Sequence, residues 1–368
     1  MTVHKITYSR SGVNYDTLDP IKKMAQNAGN STSKNLLPHG FSEISASRGE
    51  SAYVWKQNNH YMASVIEGLG TKNLVADAMS KITGESYYDV IGHDTVAAII
   101  NDLITVGAIP LVIHAYWAVG NSSFFKDLPR MKDLIKGWKS ACNISGVSWG
   151  GGETPTYSGI IAANTIDLGG SAVGIIKHKK TLITDKKLQS GDKIILLKST
   201  GINVNGLSLA RKVADKIPKH YAAKLSNGKM YGEVLLTKTN IYAKLIQDIQ
   251  KANIDIHYIS NITGHGFRKI MRARPDFTYV LEKIFEPQEI FLFIQKHAEL
   301  TDKEMYGTFN MGMDYALFIS LKDVRKTQRI IKLLGFESIE AGYVKRGKKQ
   351  VVIKPKNIIF KSNSLNLR

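Results

Sequence analysis

The clearest ordering of apolar and polar positions in the chain runs from Ile91 to Val119, IGHDTVAAIINDLITVGAIPLVIHAYWAV. Val96, Ile99, Ile100, Leu103 and Ile104 recur at the i, i+3, i+4, i+7, i+8 spacing of a helix with one buried face. The pattern predicts a helix with Asp94 as its N-cap and Gly107, followed by Pro110, as its stop. The run LVIHAYWAV after it reads as a buried strand. Away from the apolar stripe, Thr95, Ala98, Asp102 and Thr105 form a second stripe of small and polar residues, where a solvent-facing helix would carry Lys or Glu. Asp102 is the only formally charged side chain between Thr95 and Phe125. A carboxylate in so apolar a segment is costly unless a cation, a donor or water meets it. Asp102 is therefore expected to serve a metal or a ligand; the plainer alternative is an Asp that caps a neighbouring loop.

Around this centre the patterning predicts the other elements. Residues 1–50 read as a loosely folded arm with one short helix near Pro20–Ala28. Strands follow at 52–57 and 60–68. After the central helix and strand come an amphipathic helix over 127–143 and strands at 160–166 and 170–177. The charged, turn-like KHKKTLITDKKLQSGD at 177–192 reads as a linker. Strand 193–199, a helix from about Leu207, helix 233–252, strands 257–261 and 277–283, and helices 287–298 and 322–335 then alternate, before strands near 339–345 and 350–354. The expected organisation is an arm (1–50), an N-terminal domain (51–177), a C-terminal domain (190–345) and a basic tail (346–368) that is solvated or docks on another subunit. The fold class is α/β and α+β in two layered domains.

Composition narrows the partners. The 368 residues, 43% hydrophobic and 22% charged, suffice for two cores. Asn101, Asp102, Pro110 and His114 inside the apolar run argue against a membrane span. Cys142 is the only cysteine, so a disulfide framework and a thiolate metal cluster are excluded. The N-terminus carries no hydrophobic signal core, and the cytoplasm is the expected location. The net charge of +19, from 50 Lys and Arg against 31 Asp and Glu, favours anionic partners. Its lysines are scattered rather than grouped in Arg-rich patches interleaved with aromatics. Nucleotides, sugar phosphates, nucleic acid and membrane surfaces are all anionic partners of this kind, and the charge alone decides little among them; without such patches nucleic acid is not the expected partner, nor is a membrane.

Four loops could carry chemistry. Strand 60–68 ends in Glu67-Gly-Leu-Gly-Thr-Lys72, a Gly-x-Gly turn whose N–H groups can approach an anion while Lys72 adds charge; an ordinary hairpin turn is the alternative. Gly150, Gly151 and Gly152 precede Glu153 and Thr154, which points to a close backbone approach or to a mobile turn with a solvated Glu. TGINVNG (200–206) and NITGHGF (261–267) each join a strand to a helix N-terminus, an anion-binding arrangement. No Walker A, GxGxxG or HExxH sequence occurs. His114 and His265 read as hydrogen-bonded structural residues, and Tyr306 and Tyr315 as packing residues.

In order, SGVNYD (11–16), EGLGTK (67–72), IGHDTVAAIINDLITVGAIPL (91–111), GGET (151–154), GDKIILLKSTGINVNGLSLARK (191–212), ITGHGF (262–267) and MYGTFNMG (305–312) resemble the aminoimidazole ribonucleotide synthetases, the phosphoribosylformylglycinamidine cyclo-ligases of purine synthesis. The resemblance covers most of the chain. It implies an N-terminal domain whose strands pair across a homodimer, a C-terminal α+β domain, and ATP with Mg²⁺ held without a P-loop in a cleft between domains and subunits. It also implies a ribonucleotide substrate: ATP phosphorylates the formyl oxygen of formylglycinamidine ribonucleotide, and the amidine nitrogen closes the imidazole ring. On this likeness ATP meets Gly68, Gly70, Thr71, Lys72, Asn101, Asp102, Gly151, Gly152, Glu153 and Thr154. The metal is held by Glu67, Asp102 and Glu153. The ribonucleotide meets Asn205, Gly206, Thr263, Gly264, Thr308 and Asn310, and Asp102, Lys72 and Asn203 serve the chemistry.

The departures cluster in the same loops. The family's DGxGTK has Asp where Glu67 stands. Its HSNG opens with a His suited to proton transfer, and Asn203 here cannot act as a general base. DYYA becomes Ala115-Tyr-Trp-Ala, GGETAEMP becomes GGETPTYS, and His265 interrupts the triple Gly after ITG. They keep two other readings open: a superfamily relative that phosphorylates a different acceptor, and a scaffold that has lost catalysis and, with its charge of +19, binds nucleic acid.

Overall fold

A computed structural model describes Gly12 and residues 14–365. Two sheets organise them. The first joins β1 (Ser42–Glu43), β2 (Tyr53–Gln57), β3 (His60–Gly68), β4 (Ile109–Val119), β5 (Ser148–Glu153) and β6 (Ile166–Ile176) in the order β1-β2-β3-β6-β4-β5. All its neighbours are antiparallel except β4 and β5. β6 alternates buried with more open positions along its whole length, the pattern of a strand with one face on a core. Two helices cover that face, α3 (Tyr88–Leu103) and α4 (Leu128–Ser145), after α1 (Tyr15–Ser31) and α2 (Lys72–Thr83) have preceded them in the chain. α3 and α4 approach closely because glycines meet at the crossing. A Cβ on Gly137 would lie 1.9 Å from the Asp89 carbonyl oxygen, and one on Gly92 would lie 2.3 Å from that of Leu134.

The second sheet joins β7 (Lys193–Lys198), β8 (Ile256–Asn261), β9 (Phe277–Leu281), β10 (Met313–Ile319), β11 (Ser338–Arg346), β12 (Gln350–Ile353) and β13 (Ile358–Lys361) in the order β13-β12-β9-β11-β7-β10-β8. β8 and β10 are buried throughout. Helices α5 (Leu207–Lys216), α6 (Tyr231–Leu235), α7 (Ala243–Lys251), α8 (Glu289–Ala298), α9 (Asp302–Tyr306) and α10 (Val324–Leu333) complete this half. Among the described residues, no helix is long and apolar enough to cross a membrane.

The central helix differs from the expectation in a telling way. α3 starts at Tyr88, one and a half turns before Asp94, and 14 of its 16 residues are buried. Its apolar stripe lies on the first sheet and α4, and its polar residues face the second half of the chain. Asp94 is therefore no N-cap: its carboxylate accepts from the Thr239 N–H at 2.8 Å and from Lys72. His93 donates to the Thr239 carbonyl at 2.9 Å, and Asn101 pairs with the Asn240 carbonyl and the Tyr242 N–H at 2.7 and 3.0 Å. These contacts also explain why helix 233–252 is split into α6 and α7. Residues 237–242 spend their backbone groups on α3 and Lys72, so those groups are not free for a helical ladder.

Two further expectations shift. The stretch 160–165 is a turn, with Gly159 before it at φ +81°, leading into one long β6 that begins at Ile166. The basic tail is not a free extension. β12 pairs in parallel with β9, β13 closes the edge, and Val351, Ile353 and Phe360 are buried there.

Candidate active site

The turn Gly68–Thr71, the middle of α3, the loop before α5 and the end of β8 converge on one cleft. It has two chambers. The first, about 330 Å³, is walled by Gly68–Thr71, Ala98 of α3 and Val204–Ser208, where α5 begins. The second, about 280 Å³, lies between α1 and the segment 263–272. Glu67, Asp102, Asn205 and Thr263 border both.

Glu67 ends β3, where antiparallel pairing with Gly170 fixes its backbone. Asp102 accepts from Asn261 Nδ2 at 2.8 Å, so the second half of the chain orients the carboxylate that α3 supplies. Protein surrounds the Glu67 carboxyl even though its surface opens to the cavity. That burial, and then the negative Asp102 beside it, push its pKa up to about 7, against the opposing pull of Lys269. Lys269 is buried, and its ammonium donates to Thr263 Oγ1. Burial lowers it to about 8, and Asp102 and Glu67 oppose the shift. Two carboxylates that repel each other at the mouth of a cavity suit a hard divalent cation whose other positions are filled by phosphate oxygens and water. Among the described residues, no group of three His, Cys, Asp or Glu is placed to hold a metal. The carboxylate oxygens of Glu67 and Asp102 are donors of the kind that Mg²⁺ takes.

The expected site residues divide accordingly. Glu67, Gly68, Gly70, Thr71, Asp102, Asn205, Gly206 and Thr263 line the cleft, and Gly264 borders the second chamber. Lys72 does not. Its side chain is fully buried, 2.5 Å from Asp94 Oδ2, and it donates to the carbonyls of Asn203 at 3.0 Å and Thr237 at 2.9 Å. It pins the two halves together and borders neither chamber. Asn101 is likewise committed to Asn240 and Tyr242. The side chain of Asn203 turns away from the cleft and donates to Asp314 Oδ2 at 2.9 Å. The backbone here takes a left-handed φ of 58°, which Asn tolerates. Asp314 is buried, which pushes its carboxyl up to about 6 although Tyr242 and Asn203 both hydrogen-bond to it.

Asn310 is buried and bridges Ser199 and the Gly201 carbonyl. The backbone nitrogen of Thr308 lies against Gly266, and the residue borders neither chamber. Gly151, Gly152 and Glu153 lie exposed on β5, at the edge of the first sheet, and with Thr154 they border neither chamber. Glu153 therefore does not join Glu67 and Asp102 within one chain.

Several residues of the cleft escaped sequence reasoning. Lys269 and Arg272 sit on the short turn after ITGHGF, and Tyr15, Lys22 and Gln26 come from α1. α1 is long because Asn14 caps it, its side chain accepting from the Asp16 N–H at 3.0 Å. It closes one side of the second chamber. There Tyr15 stacks on His265 with ring centroids 3.5 Å apart. Burial, with Arg268, Lys269 and Lys22 adding to it, holds the His265 imidazole far below its usual range. The neutral ring donates from Nε2 to Asp19 Oδ2 at 3.1 Å.

The model for the AIR synthase related protein N-terminal domain matches residues 49–176, and that for the AIR synthase related protein C-terminal domain matches residues 189–354. The chain belongs to the AIR synthase related family. It is 37% identical over 290 residues to the phosphoribosylformylglycinamidine cyclo-ligase of Methanocaldococcus jannaschii, covering 78% of each chain. It is 31% identical over 358 residues to that of Carboxydothermus hydrogenoformans, covering 95% of this chain and 99% of the relative. Among solved structures, thiamine-monophosphate kinase from Stenotrophomonas maltophilia K279a shares the fold at 13% identity. That match has a TM-score of 0.59 and covers 82% of this chain and 88% of the other. Phosphoribosylformylglycinamidine synthase II from Thermotoga maritima shares it at 13% identity and a TM-score of 0.55, covering 84% of this chain and 45% of that one.

Proposed function

We propose that this AIR synthase related protein is an ATP-dependent phosphoribosylformylglycinamidine cyclo-ligase that works in the cytoplasm. The observation that carries the reading is the meeting of two chambers at Glu67 and Asp102. Phosphoryl transfer needs a nucleotide and an acceptor on opposite sides of one charge-stabilising point, and a cleft with two compartments sharing those carboxylates provides it. The cyclo-ligase names of the relatives supply the acceptor class, formylglycinamidine ribonucleotide.

Mg²⁺ held by Glu67 and Asp102 would offset the charge on the transferred phosphoryl group. The residues of the chain do the rest. The turn Gly68–Thr71 and the start of α5 offer backbone N–H groups to the nucleotide phosphates. Lys269 adds a cation beside the carboxylates. The formyl oxygen attacks the terminal phosphorus and ADP leaves; the amidine nitrogen then attacks the formyl carbon, the C–O bond breaks, and phosphate and a proton are released. With Asn203 turned to Asp314, ring closure rests on holding the nitrogen against the activated carbon and on charge stabilisation, not on a general base at that position.

The protein acts as a homodimer on this reading. Ile66, Leu111 and Tyr116 form an exposed apolar strip on the outer face of the first sheet, with Ile66 80% exposed. A second copy covering that strip would also reach β5 with Gly151, Gly152 and Glu153.

Single-turnover ADP release with formylglycinamidine ribonucleotide and Mg²⁺–ATP tests the function, alongside Asp102→Asn. The expected result is aminoimidazole ribonucleotide with one equivalent of ADP, reduced at least about 100-fold in the variant. ATP binding without ring closure would sink the cyclo-ligase reading.

A further inference from the structure

The second chamber differs from the first in charge. The first has no Lys or Arg in its walls, whereas the second presents Lys22, Lys269 and Arg272. These face three carboxylates, those of Glu50, Glu67 and Asp102. Glu50 is taken up by Tyr258 at 2.9 Å and stands 3.8 Å from Arg272 Nε. Glu67 and Asp102 are the pair suited to a divalent cation, and once they hold one they no longer balance the basic groups. A loaded site therefore leaves this chamber with an excess of positive charge, and an anionic ligand group must answer it.

Two of the basic groups are held in place. Arg272 donates from Nε to the Gly49 carbonyl at 3.0 Å and from one terminal nitrogen to Ser51 Oγ at 2.7 Å. Lys269 is fixed through Thr263. Lys22 is different: it rides on α1, where among the described residues its ion-pair partner is the Asp19 carboxylate, 3.9 Å away, and its ammonium stands 5.7 Å from the Tyr15 ring centroid. Its position depends on how α1 docks, and His265 shares that docking with Arg268, whose guanidinium lies 5.9 Å from the Tyr15 ring centroid. At φ +68° His265 stands where a glycine would be unstrained. The stack on Tyr15 and the hydrogen bond to Asp19 give the side chain a purpose that offsets the backbone cost.

We propose that the second chamber is the phosphate-monoester subsite of the ribonucleotide substrate, built by Lys22, Lys269 and Arg272, with His265 as the positioning residue that docks α1 and so delivers Lys22. The proposal rests on the two-substrate reading above and deepens it. ATP then occupies the first chamber, its terminal phosphate reaching the shared carboxylates. The sugar phosphate enters from the opposite side with its monoester toward the arm.

Ribose 5-phosphate is the probe, because it carries the monoester and ribose without the reacting groups. Its binding to the full chain is measured by titration calorimetry, with ADP–Mg²⁺ binding measured in parallel. Lys22→Ala, Arg272→Gln and His265→Gly are each expected to weaken ribose 5-phosphate at least tenfold while leaving ADP within about twofold. His265→Gly is the informative variant, since glycine suits the left-handed backbone there and the fold should not suffer. Tyr15→Phe, which keeps a ring on His265, should retain binding that Tyr15→Ala loses. Trypsin should cut at Lys22 or Lys23 faster in His265→Gly than in the parent, and ribose 5-phosphate should slow the cut only in the parent. Unchanged ribose 5-phosphate affinity in the Lys22 and Arg272 variants overturns the subsite. ADP affinity falling in step also overturns it, by giving the basic groups to the nucleotide. A parent that binds ribose 5-phosphate through these residues yet forms no aminoimidazole ribonucleotide would retain the subsite and refute the cyclo-ligase reading.

Discussion

Replacing Asp94 by Asn tests whether Lys72 is a structural pin or a ligand-binding cation. The pair is fully enclosed, with both side chains at 0% exposure and 2.5 Å between Nζ and Oδ2. Asp94 also accepts from Thr239 N at 2.8 Å, and Lys72 also donates to the Asn203 and Thr237 carbonyls. The Asn side chain preserves the volume and can still accept from Thr239. What it removes is the countercharge, leaving an ammonium in the interior with two neutral acceptors. Removing one partner of a buried ion pair costs about 3–5 kcal/mol, most of it desolvation of the survivor. Lys72→Met removes the other charge and strands two carbonyls, so it should cost about the same. The double variant should lose less than the sum of the two, because the second change removes the charge that the first left unpaired. Urea unfolding followed by tryptophan fluorescence reads this directly: Trp117, Trp138 and Trp149 cluster where α4 meets the first sheet. A single variant within about 1 kcal/mol of the parent, or strict additivity in the double, would refute the reasoning. So would a Lys72→Met protein of parental stability that had lost only nucleotide binding, since that is the behaviour of a lysine reaching into the cleft.

Gly137→Ala gains about 1 kcal/mol of helix propensity but puts a methyl 1.9 Å from the Asp89 carbonyl; a net loss of about 1–3 kcal/mol is expected in the same urea assay, and a stabilised variant would contradict the close crossing. His257 is raised above its usual pKa chiefly by its hydrogen bond to Asp192 (2.8 Å), against burial. The stability it contributes is thus complete below the unfolded pKa of about 6.5 and is lost as pH rises through the higher folded value. The parent's advantage over His257→Gln should therefore shrink as pH rises above about 6.5, and parallel urea midpoints through that rise would exclude it. Ile66→Lys places a charge on the exposed outer strip, and sedimentation should show a monomer with unchanged circular dichroism; a persisting dimer would place the interface elsewhere.

Much of the first sheet and its helices was legible in sequence because burial there is one-sided. The Val96–Ile104 stripe and the alternation in the strands report a single core. What the patterning missed lies where a residue answers to both halves of the chain. Asp94 reads as a cap because caps are the common use of Asp near an apolar run, and only the arrival of Thr239 and Lys72 makes it an interior acceptor. Residues 233–252 carry a helical pattern, yet the backbone of Thr237, Thr239, Asn240 and Tyr242 is claimed by α3 and Lys72. Asp102 stood out by its isolation and does line the cleft, as does Glu67 in the Gly-x-Gly turn. Lys72, in that same motif, points the other way, since adjacent residues entering a helix diverge in direction. Lys269 had no local signature at all: one lysine among many in a lysine-rich chain, it is singled out only by the fold that sets it beside two carboxylates.

The polar side of α3 also bears on how the chain is made. During synthesis the helix leaves the ribosome well before Thr239, Asn240 and Asn261, the residues that satisfy His93, Asp94, Asn101 and Asp102. For the time needed to add roughly 140 residues, about 7–28 s at ordinary elongation rates, the nascent N-terminal half carries an open seam of charged and amide groups around which the later half must close. Such a seam stays hydrated and discourages premature burial against foreign apolar surfaces. The same groups that later orient the cleft thus leave a half-made chain waiting for its own second half.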